Sequence, residues 1–266
     1  MGMRNCIAAL ATVAWTTAVL PVPVRSTIGG KSISFSNAEE IPSYTAADYV
    51  QDGLVGLWDG IENVGIGTHD SSSETWVDLT GYGRNFAVYS YFTDKGLVCD
   101  GASNAAYCGT QIPALCSAVK HYEVVSKFNF ETVPTSSGTA NCMLIHLRSS
   151  GTGQIVFGTG YMSGGRCRVS LNRLLNIVPD NAIHSYSCCS YPNRNTTYLT
   201  AVDGVEYTPI ANYGGGEFAN YFYLGSSKNG GTPCPGVIYC LRIYDRELTA
   251  EERAHNLKVD RARYVR

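Results

Sequence analysis

From Gly53 onward the chain is cut into short apolar runs, each bounded by Gly, Pro, Asn, Asp or Ser, and that cutting leaves little room for long helices. Eleven runs have the composition of strands: 53–58, 85–92, 96–100, 122–130, 142–147, 153–158, 167–171, 183–191, 197–204, 220–226 and 236–244. Many short strands with regular turn signals build a sandwich or a jelly roll. Side chains alternate across a strand, so Tyr122, Val124, Ser126, Phe128 and Phe130 share one side of the run 122–130, and one side goes to the core. Asp203-Gly204 supplies the positive φ that a tight primed turn requires, which makes its flanks an antiparallel hairpin.

One helix is expected, and it is the last element. Thr249 with Glu252 three residues on has the spacing of a capping box, in which the hydroxyl and the carboxylate each take a free backbone N–H. The following run places Ala250, Ala254, Leu257 and Tyr264 near one face, with acidic residues early and basic residues late, as the helix dipole favours. That face is expected to dock on the strands.

A charged fraction of 16% beside 28 glycines and 18 tyrosines suits strands and turns better than amphipathic helices. With a formal charge of -2 and no dense basic patch before the last residues, nothing grips a phosphate backbone, so nucleic acid is not an expected partner. The ten cysteines are scattered, with no CxxC pair to hold zinc. Cys99, Cys142 and Cys240 fall inside strand runs and read as small buried apolar residues, while one or two disulfides stay open.

The apolar run 6–20 follows Arg4 and is diluted by Thr12, Thr16 and Thr17. Two readings stand for it: a secretory signal or anchor, or a segment that attaches the chain to a partner. Residues 25–48 read as a polar linker broken by Pro42. The expected organisation is an N-terminal signal, anchor or attachment segment with linker over 1–50, and one sandwich domain over 51–266.

The stretch 236–253, GVIYCLRIYDRELTAEER, resembles the closing strand, turn and helix of the LamG-like jelly-roll domains in the concanavalin A-like lectin/glucanase superfamily. Gly236, Ile238, Arg242, Ile243, Tyr244, Arg246, Leu248, Thr249, Glu251 and Glu252 fit that pattern. GLVGLWDG, WVDLTGYGRN, LVCDGASNAAYC, the hairpin region 182–207 and NYFYLGS follow in the family's order, although Ile183 stands where the family carries Trp before its histidine. The resemblance covers about residues 52 to 262. It implies an all-β fold, two antiparallel sheets packed face to face in a concanavalin A-like jelly roll.

Three kinds of site are weighed in this chain. The superfamily's hydrolases carry their paired carboxylates as a tight run on one strand, and no such run occurs here, so no catalytic residue is assigned. Asp59, Glu62, Asn63 and Asp70 offer oxygens within twelve residues of one Gly-rich loop, a set that a calcium ion would use and that Asx turns explain equally well. Tyr82, Tyr161 and Tyr213 lie between glycines, where rings could stand exposed to stack on a sugar. The expected role is a non-catalytic recognition module for glycans or glycoprotein surfaces, working outside the cell or on a cell or virion surface, with no cofactor unless calcium. The rival is a structural appendage, attached to a cell-surface or virion assembly through residues 1–50, with the sandwich as spacer. A glycoside hydrolase is third.

Overall fold

The computed structural model describes residues 43–109, 120–130, 180–190, 199–207, 221–226 and 233–265, together with strand segments at 25–28, 31–34, 142–148, 154–163, 166–171, 173–175 and 211–212. The chain divides into two units, Met1–Pro42 and Ser43–Arg266. In the first, β1 (Arg25–Ile28) and β2 (Lys31–Ser34) pair antiparallel with Ile28 opposite Lys31. Two paired strands thus lie within the stretch 25–48 that reads as a polar linker. The apolar run 6–20 lies outside the described residues.

The second unit holds β3 (Leu54–Asp59), β4 (Thr75–Trp76), β5 (Phe86–Val88), β6 (Leu97–Asp100), β7 (Ala106–Cys108), β8 (Lys120–Phe128), β9 (Cys142–Arg148) and β10 (Gln154–Ser163). There follow β11 (Arg166–Leu171), β12 (Arg173–Leu175), β13 (His184–Ser190), β14 (Thr200–Val202), β15 (Val205–Glu206), β16 (Ala211–Asn212), β17 (Tyr221–Leu224), β18 (Pro235–Tyr244) and the helix α1 (Ala250–Tyr264). Each of the eleven expected runs contains a strand. They form two antiparallel sheets, a nine-stranded one in the order β16-β12-β11-β10-β9-β17-β7-β5-β4 and a seven-stranded one built on β15-β14-β13-β8-β18-β3. On one edge the first half of β18 pairs with β6 and the second half with β3, and on the other a register shift between Ile238 and Cys240 interrupts its pairing with β8.

Between the sheets lies an aromatic core. Trp58 meets Phe86 edge-on at 5.0 Å, Phe86 meets Phe222 at 6.0 Å, and Trp76 meets Phe92 at 5.5 Å. Both indole N–H groups are satisfied within it, Trp58 donating to the carbonyl of Arg84 and Trp76 to that of Asp59. Tyr122, Val124 and Phe128 enter this core and Phe130 packs against it, as strand alternation requires. At the hairpin, Asp203 and Gly204 take φ of 52° and 85°, and Val202 pairs with Val205. Cys99 and Cys240 are buried thiols, burial pushing Cys240 up to about 12, and Cys234 is disulfide-bonded.

The other face of the seven-stranded sheet is covered too. Leu57, Val125, Tyr239, Cys240 and Tyr244 pack there against Val259 and Tyr264 of α1 and against Ala46 and Tyr49, which open and follow a 3-10 turn at Ala46–Asp48. The unit therefore begins at Ser43, and a boundary at 51 cuts through its packing. Helix α1 starts at the expected capping box, Thr249 accepting from the Glu252 N–H and Glu252 accepting from the Thr249 N–H. Of the expected stripe only Tyr264 is buried: Asn256, Val259, Asp260 and Arg263 turn inward with it, Leu257 is half-buried, and Ala250 and Ala254 are exposed. The reason lies beneath the helix, where the sheet presents Glu123 and Arg242, so polar partners select the docking face in place of apolar ones.

Candidate functional site

The Gly-rich loop after β3 is built by its own polar side chains. Asp59 accepts from the N–H groups of Ile61 and Glu62, and Asn63 clamps Asp70 twice, its amide donating to the Asp70 carbonyl at 2.7 Å and accepting from the Asp70 N–H at 2.8 Å. Asp70 itself accepts from Ser72. Meanwhile Asp59 and Glu62 are buried, and the cation they face is the guanidinium of Arg263, at 2.8 and 3.1 Å, with the Tyr264 hydroxyl also donating to Asp59. The structure does not gather Asp59, Glu62, Asn63 and Asp70 around one point. Among the described residues no group of three His, Cys, Asp or Glu side chains is arranged to hold a metal ion.

A second ionic cluster, which the sequence reading missed, occupies the layer between the seven-stranded sheet and α1. Arg242 makes two bonds to Asp260, at 2.6 and 2.8 Å, and one from Nε to Glu123 at 3.1 Å. Tyr49 lays its ring 4.1 Å from the guanidinium and donates its hydroxyl to Asp260. Asn256 donates to Glu123 and to the Tyr244 hydroxyl. Burial alone would raise the Glu123 carboxyl, but the charge of Arg242 and the bonds from His121 and Asn256 hold it down at about 2. The signal in the sequence was the 256, 259, 260, 263 spacing of α1, which has helical period but mixes Asn, Asp and Arg with Val.

Beside this layer a cavity of about 330 Å³ opens between α1 and strands β13 to β15, with Glu123, Arg242 and Asp260 on its floor. Ser187 on its wall contacts His121 Nε2 at 2.9 Å, and Glu123 lies 3.4 Å from the same nitrogen. A relay needs the acid on one imidazole nitrogen and the hydroxyl on the other. Here both share Nε2, while Nδ1 is buried without a partner, so this trio does not activate Ser187.

His184, the histidine of the hairpin motif, sits between two carboxylates, Asp203 at 2.5 Å from Nδ1 and Asp180 at 2.9 Å from Nε2. The bond to Asp203 outweighs partial burial and, with Asp180, raises the imidazole to about 9. A group raised in the folded state stabilises fully below its unfolded value and loses that contribution as pH climbs through the folded one. The cluster is partly solvated, so about 1 kcal/mol should disappear between pH 6.5 and 9.5 after screening. Urea melts of wild type and His184→Gln at both pH values check this: the gap between them should narrow at the higher pH.

Of the three tyrosines singled out, Tyr82 is 61% exposed with the Arg84 guanidinium 4.5 Å from its ring. Tyr161 belongs to β10 and not to a loop, and Tyr213 lies outside the described residues. A different set emerges on the outer face of the nine-stranded sheet. Ala87 pairs with Tyr107, and Tyr107 with Tyr223, in one row across β5, β7 and β17, while Tyr89 stands just past the end of β5. The Tyr107 and Tyr223 rings lie 5.0 Å apart at 34°, and Tyr89 is 65% exposed. Period-two alternation turns Ala87, Tyr107 and Tyr223 outward, because Phe86, Val88, Ala106, Cys108, Phe222 and Leu224 turn inward. Only the register brings them together.

No protein-family model matches the chain, and no curated protein matches it. Solved structures do. Trypanosoma rangeli sialidase in complex with sialic acid superposes with a TM-score of 0.53 at 13% identity, over 91% of this chain and 36% of that one. The receptor binding domain of botulinum neurotoxin mosaic serotype C/D gives 0.52 at 11% identity, over 78% of this chain and 51% of that one. The chain thus spans about a third of the sialidase and half of the toxin domain. At such identities the likeness is one of fold: the protein is a two-sheet antiparallel β-sandwich closed by a C-terminal helix.

Proposed function

We propose that this sandwich is a LamG-like, non-catalytic recognition module that binds a glycan or a glycoprotein surface outside the cell or on a cell or virion surface. The observation that carries the reading is the tyrosine row on the nine-stranded sheet. Sugar rings present flat C–H faces that pack on aromatic rings, and a small residue beside the rings leaves room for a pyranose to settle. Tyr107 and Tyr223 give the platform, Ala87 the gap, and Tyr89 a ring at its border. The fold likeness to a toxin's receptor binding domain and to a sialidase solved with sialic acid supports the reading.

A glycan array with the full chain tests it. Retention on one or more glycans is expected, weakened about tenfold by Tyr223→Ala and again by Tyr89→Ala, since losing one stacked ring costs on the order of 1 kcal/mol. Retention that ignores both substitutions would move the site elsewhere. No retention, together with stable oligomers that need residues 1–50, would favour the displayed spacer, and release of reducing ends would favour the hydrolase.

A further inference from the structure

We propose that Gly109 is a positioning residue of the glycan platform: by leaving a gap after Tyr107 it lets that ring lie along the sheet and show its face to the ligand. The inference rests on the glycan reading and adds to it the residue that sets the attitude of the ring. Gly109 follows β7 directly and is exposed, so no place in the core calls for its lack of a side chain. Its backbone does not call for glycine either, since its φ lies outside the left-handed region that Gly81, Gly83 and Gly101 occupy. What glycine supplies here is room. A Cβ on Gly109 would fall 2.8 Å from the Tyr107 hydroxyl oxygen and 3.2 Å from Cε1 and Cζ of the same ring.

The nature of the neighbour separates Gly109 from the glycines that serve packing. At Gly60 and Gly236 a Cβ would strike backbone, the carbonyls of Lys95 and Lys127, and neighbouring segments would have to part. Among the described residues, the atoms nearest to a Cβ on Gly109 all belong to Tyr107. That neighbour is the far end of one side chain, which can turn away while the fold stays as it is. Residues two apart on a strand share a side, so the end of Tyr107 fills the space where a side chain at 109 would stand. The ring therefore leans along β7, which accounts for a tyrosine that faces outward and is still only half exposed, where Tyr89 is 65% exposed. Ala87, opposite in register, is too small to prop the ring up, and Tyr223 continues the surface 5.0 Å away at 34°. A reclining ring offers a ligand its electron-rich face, an upright one offers an edge.

Glycan retention and thermal melting of Gly109→Ala, Tyr107→Ala and the double variant, each in the full chain, are the test. Gly109→Ala should weaken retention about fivefold, because the displaced ring loses its stacking contact. It should melt no lower than wild type, since alanine narrows the unfolded ensemble where the native φ admits it. In the Tyr107→Ala background the same change should alter retention by less than about twofold, because a residue that acts through the ring has nothing left to place. With isotope-labelled tyrosine, the Tyr107 ring resonances, assigned by their loss in Tyr107→Ala, should shift in Gly109→Ala with no glycan present. A wild type that is retained, and is weakened by Tyr107→Ala but not by Gly109→Ala, overturns the positioning role and leaves the glycan reading standing. Equal weakening in both backgrounds, unmoved Tyr107 resonances, or a Gly109→Ala protein that melts lower or fails to fold also overturns it. A wild type retained on no glycan overturns the glycan reading itself, and the role of Gly109 in binding falls with it.

Discussion

Arg242→Met should lower the stability of the protein by about 4 kcal/mol in urea melts at neutral pH, because it strips the counter-charge from two carboxylates that water cannot reach. Glu123 and Asp260 are 4% and 1% exposed, and neither can turn to solvent without lifting α1 from the sheet. The loss is a property of the broken set and not the worth of the intact one. Replacing all three, as Arg242→Met with Glu123→Leu and Asp260→Leu, should therefore recover most of the deficit, since desolvation of the ions disappears along with their attraction. A single-variant loss below 1 kcal/mol would mean that water enters the layer freely.

Tyr49→Ala should cost a similar amount, about 4 kcal/mol, by emptying an aromatic site in the same layer. Tyr49 is 2% exposed, covers the Arg242 guanidinium and donates to Asp260, so its removal leaves both a void and an acceptor short of a donor. Truncation sharpens the point. A fragment of residues 43–266 should melt with the full chain, whereas 51–266 loses Tyr49, the Val50 N–H bond to Asn256 and the Ala46 N–H bond to Glu62, and should melt lower than Tyr49→Ala. Thermal melts of the four proteins followed by circular dichroism decide it.

These two variants mark where the sequence is easy to read and where it is not. The sandwich was legible because each run of strand residues declares one apolar side, and the ends of the runs carry their own turn chemistry, as Asp203-Gly204 does. The start of α1 was legible for the same reason: a capping box is local. Its docking face was not. An apolar stripe is the usual guide, but of Ala250, Ala254, Leu257 and Tyr264 the first three line a cavity and only Tyr264 is buried, mainly beside Asn256, Asp260 and Arg263. Those residues look like a solvated face until partners as far as 219 positions away in sequence are known. The loop after Trp58 drew attention through its carboxylates, and two of them, Asp59 and Glu62, serve Arg263, again a partner at the far end of the chain. The tyrosine row failed to show for a related reason, since alternation gives the side of each strand and register alone gives the neighbours.

The family-like motif at 236–253 can now be assigned physical work. Arg242 holds the layer beneath the helix, and Arg246 grips Glu252 through two bonds at 2.7 and 2.8 Å, tying the capping carboxylate to the turn that precedes it. Both arginines are positioned for architecture.

The bond between Tyr49 and Asp260 joins residues 211 positions apart, and it closes a layer whose remaining members lie on β8, β18 and α1. Loop closure over such a span is slow compared with hairpin formation, so during synthesis the sheets can pair before the final helix exists to cover them. Until then the uncovered face shows water Arg242 and Glu123 among its apolar side chains. Charges at the centre of that face oppose its burial against an apolar surface, and α1 brings the partners, Asp260 and Asn256, that let it be buried.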